Sequence, residues 1–234
     1  MQDSKITTFY DTFVDHQVSL GINDRHIGIL SRLKSHGLKK TDRVLEVGCG
    51  IGTVTKLLAK YLSNGSVVAV DISPKSIEIA TKTLLNFKNV ECQVVDLTED
   101  DFEGEFDAVV LPDVLEHIPI EKHSKLFEKL ASLLTSNGVI FINIPNPYSL
   151  EWAHIHKKEE LQILDQPLYT VDLLPHLYEH GFHLHFLETY SISMRDGDYQ
   201  FLVVKKNGFQ VFEAKAEKSF FKLAKNKILR MINS

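Results

Sequence analysis

The chain has 234 residues, 44% of them hydrophobic, with a formal net charge of −5 and two cysteines. That apolar content can bury one α/β core without disulfides, and Cys49 and Cys92, far apart in sequence, imply neither a bridge nor a metal cluster, which suits a reducing cytoplasm. A pI near 6.1 argues against a nucleic-acid substrate, whose phosphates are held by clustered Lys and Arg, and the start shows no charged-then-apolar leader or run long enough to cross a membrane.

From the N-terminus, Phe9, Tyr10, Phe13 and Val14 recur at helical spacing, and a second amphipathic helix with Ile27, Leu30 and Leu33 stops at Gly37. Residues 1–40 are expected to form a helical lid. Val44-Leu45-Glu46-Val47 then reads as a buried parallel strand, and Gly48-Cys49-Gly50-Ile51-Gly52-Thr53 as a tight turn into a helix, because glycines let backbone approach a ligand with no Cβ in the way. A helix with Val54, Leu57, Leu58 and Tyr61 ends near Asn64-Gly65, before a second buried strand, Val67-Val68-Ala69-Val70-Asp71-Ile72. Ser73 and Pro74 are an N-cap and first-turn pair for the next helix, with Ile77, Ala80 and Leu84, which places Asp71 at the carboxyl edge of the sheet.

A third strand, Val90 to Leu97, again carries an acid, Asp96, at its end and opens an acidic loop. Phe106 to Pro112 is a fourth strand that runs into Asp113-Val114-Leu115-Glu116-His117-Ile118-Pro119. A helix from about Lys122 to Thr135, closed by Asn137-Gly138, precedes a fifth strand, Val139-Ile140-Phe141-Ile142. Such β-α alternation demands a parallel sheet with helices on both faces. The last third changes character: Leu184–Met194 and Tyr199–Val204 read as strands joined across Asp196-Gly197, and Asn207-Gly208 leads into Phe209–Phe212, so an antiparallel edge follows the parallel core.

The glycine spacing is G-x-G-x-G, not the G-x-G-x-x-G of a dinucleotide fold. With its neighbouring motifs in order, the stretch from about 40 to 145 resembles the class I S-adenosylmethionine-dependent methyltransferases, of the small-molecule, type 11/12-like branch. The resemblance implies a three-layer Rossmann-like doubly wound sheet, mostly parallel with an antiparallel strand near the C-terminus, with S-adenosyl-L-methionine as cofactor and S-adenosyl-L-homocysteine as product. It implies a cofactor site built from Glu46, Gly48, Cys49, Gly50, Gly52, Asp71, Ile72, Asp96, Leu97, Leu111 and Pro112. Asp71 would accept from the ribose hydroxyls and Asp96 from the adenine amino group between Ile72 and Leu97, while backbone near Leu111 and Pro112 would meet the methionine part.

His117 would lie beside the reacting methyl group. A base with a near-neutral pKa assists O-methylation of a hydroxyl, so His117 is the candidate catalytic residue, with cofactor positioning as its other reading. Asp113 and Glu116 are rival carboxylates. Acceptor choice is expected to lie in an irregular insertion at about 145–169, where Tyr148, Trp152, His154 and His156 stand, with Tyr10 closing from the N-terminal side; Tyr10, Asp113 and Tyr148 are the expected substrate contacts. Asn146-Pro147-Tyr148 looks like the N-P-P-Y signature of amino-group methylation, but that motif belongs after strand four. His154 and His156 alone make a poor metal set, so no metal is expected.

Residues 41–212 are read as the methyltransferase core and 213–234 as a basic amphipathic helix, with Phe220, Phe221, Leu223, Ile228 and Met231 beside Lys215, Lys218, Lys222, Lys225 and Arg230. Packing on its own domain or a second subunit is the plainer role for that helix, and contact with an anionic membrane or carrier the sharper one. The expected acceptor is a small molecule carrying a hydroxyl, such as a sugar, quinone or secondary-metabolite precursor, and the expected state is a monomer or homodimer. The alternatives are N-methylation of an amino sugar or other amine, and a non-catalytic cofactor-binding module.

Overall fold

The computed structural model describes residues 21–206. The helix with Phe9 and Tyr10, the hairpin at Asn207-Gly208 and the basic helix over 213–234 lie outside the described residues. Seven strands, β1 (Arg43–Val47), β2 (Ser66–Asp71), β3 (Val90–Val94), β4 (Phe106–Pro112), β5 (Leu134–Pro145), β6 (Phe182–Tyr190) and β7 (Tyr199–Lys206), form one sheet in the order β3-β2-β1-β4-β5-β7-β6. The first five strands pair in parallel, and β7 runs antiparallel to both β5 and β6. The antiparallel strand is therefore interior and not the edge. The continuous apolar run Phe201-Leu202-Val203-Val204 can bury both faces, whereas β6 alternates with His183, His185 and Glu188 and tolerates the rim.

Helices α1 (Asp24–Ser35), α2 (Thr53–Tyr61), α3 (Pro74–Leu84), α4 (His123–Leu133), α5 (Pro147–His156) and α6 (Thr170–Glu179) join these strands. Alternate strand residues feed two cores. Leu45, Val68, Val109 and Ile140 pack with Leu126, Phe127 and Leu130 of α4 and Leu173 and Leu177 of α6. Val44, Ala69, Ala108 and Phe141 pack with Ile29 and Leu33 of α1, Val54 and Leu58 of α2, and Ile77 of α3. Five parallel strands with helices on both faces make the doubly wound arrangement that the alternation demanded.

Several element limits differ from the sequence reading. In α1 the buried pair is Ile29 and Leu33, one turn apart on the face that packs on the sheet, while Ile27 lies on another face and is exposed. Helix α4 stops at Leu133, since Leu134 pairs with Phe106 and enters the core as strand; the bulge before Val139 absorbs Asn137-Gly138. Strand β3 ends at Val94, short of Asp96. Strand β6 ends at Tyr190 because the buried Asp198 carboxylate accepts from the amides of Ile192, Ser193 and Met194, which takes those groups away from the ladder. The stretch after β5 is not irregular throughout: Asn146 caps α5 by accepting from the Tyr148 amide, with Pro147 at the first position. A 3₁₀ turn at Lys158–Glu160 and an extended strap from 161 to 169 then lead into α6.

Candidate functional site

The site lies where the strand order reverses between β1 and β4, at the carboxyl edge of the sheet. After Val47 the backbone turns through Gly48 (φ 71°), Gly50 (φ 53°) and Gly52 (φ 82°), all in the left-handed region. The Gly48 and Cys49 amides donate to the Val70 carbonyl at 2.8 and 3.0 Å, which ties the turn to β2. At the end of β2, the Asp71 carboxylate accepts from the Gly50 amide at 2.8 Å and from the Ser73 amide at 2.9 Å. The acid is thus fixed against the turn by two backbone donors.

A cavity of about 270 Å³ opens beside this turn. Gly48, Gly50 and Asp71 form one wall, Ile72, Val95 and Leu97 a second, and Asp113, Val114 and His117 a third. Asp96 also lines it: its Oδ1 accepts from the amide and hydroxyl of Thr98, at 2.8 and 2.6 Å, while Oδ2 has no partner among the described residues. Below the glycines Glu46 is fully buried, with Thr55 as a polar neighbour and no well-aligned hydrogen bond among the described residues. Burial raises its pKa to about 8, helped by the nearby charge of Asp71, so the group is protonated at neutral pH. Apolar walls, the carboxylates of Asp71, Asp96, Asp100 and Asp113 and a close backbone approach suit a nucleoside-bearing cation.

The strap closes the far side of the cavity. His117, on the turn after β4, sets Nδ1 against the Leu164 carbonyl at 2.6 Å and Asp165 Oδ1 at 3.0 Å, and Nε2 faces the Gln162 amide at 3.0 Å. Burial by itself pushes the imidazole pKa down, but Glu116, Asp165 and the Leu164 carbonyl outweigh it and hold the value above the ordinary one. Gln162 Oε1 is buried without a donor, and a half-turn of the amide gives it Nε2–H, as an imidazolium requires. Gln166 ties the strap down again: its amide nitrogen donates to the Glu116 carbonyl and its side chain to the Ile118 carbonyl. His123 Nε2 holds the same turn through the Leu115 and Ile118 carbonyls.

A second polar cluster stands behind Asp113. This residue has φ 56°, a left-handed conformation uncommon outside glycine. Its carboxylate accepts from Arg25 Nη1 at 2.9 Å and Asn143 Nδ2 at 2.6 Å, and the Tyr190 hydroxyl donates to Asn143 Oδ1 at 2.6 Å. Arg25 Nη1 also reaches the Tyr199 hydroxyl at 3.2 Å, and the Tyr190 and Tyr199 rings stack 5.8 Å apart. Arg32, over the Tyr190 ring at 3.4 Å and paired with Glu188 at 2.5 Å, holds α1 against β6.

The structure thus brings Gly48, Gly50, Asp71, Ile72, Asp96, Leu97, Asp113 and His117 to one cavity. Other residues expected there stand elsewhere. Cys49 packs into the core beside Val54 and Leu58, and a Cβ on Gly52 would meet Leu84 at 2.8 Å, so that glycine serves helix packing. Leu111 and Pro112 are sealed between β1 and β5, and the chain first reaches the cavity at Asp113. Tyr148 is 69% exposed on α5 against Tyr169 and does not line the cavity, and His154 turns to the Asp165 carbonyl. Tyr10 lies outside the described residues. Sequence reasoning missed Gln162, Lys122 and Arg25; Val114, which also lines the cavity, sat unremarked inside the D-V-L-E-H motif. Nothing local marks Arg25, whose role depends on α1 crossing the sheet edge.

Residues 44–138 match the family model described as "Methyltransferase domain". The chain is 32% identical over 127 residues to a ubiquinone biosynthesis O-methyltransferase from Dechloromonas aromatica, covering 52% of this chain and 53% of that protein. It is 29% identical over 145 residues to a malonyl-acyl-carrier-protein O-methyltransferase from Ilyobacter polytropus, covering 62% and 52%. The chain spans about half the length of the curated relatives it matches. Its fold is that of magnesium protoporphyrin IX methyltransferase from Synechocystis, solved with bound S-adenosylmethionine, at TM-score 0.60 and 23% identity over 83% of this chain and 84% of that one. A mostly parallel seven-stranded sheet, a G-x-G-x-G turn at its switch point and the family match together identify residues 44–138 as a methyltransferase domain of the class I, S-adenosylmethionine-dependent kind.

Proposed function

We propose that the chain transfers the methyl group of S-adenosylmethionine to an oxygen of a small-molecule acceptor. The observation that carries this reading is the Asp71 carboxylate, pinned by two amides at the mouth of the glycine turn and facing a cavity whose other end holds Asp113 and His117. The cofactor fits the donor set. Asp71 receives the ribose hydroxyls, Asp96 Oδ2 receives the adenine amino group, and Ile72 and Leu97 face the ring. Gly48 must stay small, because a Cβ there would meet Val114 at 2.5 Å and push it into the cavity.

When bound, the cofactor supplies a methyl group activated by a sulfonium. The protein's own contribution is placement and exclusion of water. The strap carrying Gln162, Leu164 and Asp165 covers His117, and the site holds the acceptor in line, where orientation and desolvation supply much of the acceleration. His117, with a protein partner on each ring nitrogen, positions the strap against the turn after β4. Oxygen is favoured over nitrogen because both curated relatives above are named O-methyltransferases, and because Arg25 beside Asp113 offsets the negative charge that would attract an ammonium.

Calorimetry with S-adenosylmethionine, S-adenosylhomocysteine and NAD tests the reading. Binding of the first two alone, weakened about tenfold or more in Asp71→Ala, is the expected outcome. A folded sample that binds neither overturns it.

A further inference from the structure

We propose that the acceptor presents a carboxylate, that Arg25 orients it, and that the methylated atom is a carboxylate oxygen. This rests on the methyltransferase reading above and narrows it.

The argument begins with what each group at the acceptor end is already doing. A hydroxyl acceptor must lose its proton as the methyl arrives, and a base assists that loss. His117 has the Leu164 carbonyl and Asp165 on one ring nitrogen and Gln162 on the other. Asp113 is spent on Arg25 and Asn143. Glu116, 2% exposed, does not line the cavity and faces His117 Nε2 at 3.9 Å. Among the described residues, none of these three is an unengaged base facing the cavity. A carboxylate acceptor needs none, because it arrives ionised.

The same cluster supplies a site for that charge. Arg25 emerges from the first turn of α1 beside the cavity wall formed by Asp113, and about a third of its side chain is exposed. Among the described residues the partners of the guanidinium are all on Nη1 and Nε is buried, so Nη2 is the donor left to meet a ligand. Planar guanidinium donors match a carboxylate in shape and charge. The stacked Tyr190 and Tyr199 rings lie beside it, behind the cavity lining, with their hydroxyls on Asn143 and Arg25. An ammonium acceptor would instead approach this cation.

The transfer balances without a proton. The carboxylate oxygen donates an electron pair to the methyl carbon and forms the new O–CH₃ bond. The CH₃–S bond breaks, its pair stays on sulfur, and the sulfonium becomes a neutral thioether while the acceptor becomes a neutral ester. The reaction class that consumes such a product is ester hydrolysis or acyl transfer.

The test uses the full chain saturated with S-adenosylhomocysteine and matched sets of aliphatic and aromatic carboxylic acids, alcohols and amines, with binding read by ligand-observed NMR. Acids should dominate the binders, and Arg25→Gln should weaken them about tenfold to a hundredfold, with Arg25→Lys in between, while S-adenosylhomocysteine affinity and melting temperature show that each variant is folded. With methyl-tritiated cofactor, the best acids should yield label that mild alkali releases as volatile methanol; ethers and methylamines retain theirs. Alcohols or amines binding as well as acids, no acid among the binders, or an alkali-stable product overturns the proposal. Loss of S-adenosylhomocysteine binding by the wild type would instead sink the methyltransferase reading beneath it.

Discussion

Replacing Gly48 by alanine separates two costs that glycine avoids here. At φ 71° any L-residue is strained, at about 1–2 kcal/mol. The new Cβ would also meet Val114 Cγ2 at 2.5 Å and Cβ at 2.9 Å, and Val114 is confined on the cavity wall. Overpacking of this kind costs about 1–3 kcal/mol. The sum, about 2–5 kcal/mol, is a large share of the roughly 5–15 kcal/mol that holds a domain folded. Gly181 supplies the control, because it has φ 78°, close to that of Gly48, but nothing within 4 Å of a built Cβ, so Gly181→Ala carries the backbone strain alone. Urea unfolding of both variants should place Gly48→Ala about 1–3 kcal/mol below Gly181→Ala, or about 2–12 °C lower in melting temperature. Adding Val114→Ala removes the 2.5 Å contact and leaves the 2.9 Å one, so the double variant should recover part of the loss with a coupling of about 0.5–2 kcal/mol. Equal stability of the two glycine variants, or simple additivity with Val114→Ala, would refute the claim that the turn is closed to a side chain by Val114.

Glu46 should give stability a pH signature. Its unfolded value is 4.5 and its folded value about 8, so the native state keeps a proton that the unfolded chain releases over that window. Its contribution is complete below pH 4.5 and falls away as pH rises through 8, on the order of 4 kcal/mol in all. Glu46→Gln keeps the neutral shape and removes the slope, so urea midpoints at pH 5, 6.5 and 8 should decline in the wild type relative to the variant; parallel curves would count against a protonated Glu46. Gln166→Ala removes one donor to the Ile118 carbonyl, leaving His123 to hold it, and should cost about 1–2 kcal/mol. Hydrogen exchange should then speed at the Gln162 and Gln166 amides, which donate to Asp165 and Glu116; unchanged exchange would show that the strap is held by other contacts.

The half of the cavity beside the glycine turn was legible in the sequence because it is local. A glycine turn after a buried strand, an acid at the end of the next strand and a capped helix behind it are fixed by neighbouring residues, and parallel pairing of β1 with β2 then brings Asp71 against Gly50. Place in a motif was less telling. Leu111 was expected to meet the ligand through backbone and Cys49 through the turn, but after β4 the chain lines the cavity only from Asp113, and both side chains enter the core. Tyr148 has the right region and the wrong face of α5, where an Asn146 cap builds a helix that the sequence reading left as loop.

The amino-acid sequence by itself determined the sheet, its parallel core and the glycine turn, since hydrophobic period, caps and glycine conformation act over a few residues. Tertiary structure alone decided the end of the cavity beside Asp113 and His117. Arg25 meets Asp113, and Gln162, Leu164 and Asp165 enclose His117, only because α1 and the strap fold back over the carboxyl edge of the sheet. Contacts of that length leave no period or spacing in the chain, because what sets them is the packing of whole elements and not the preference of any one segment.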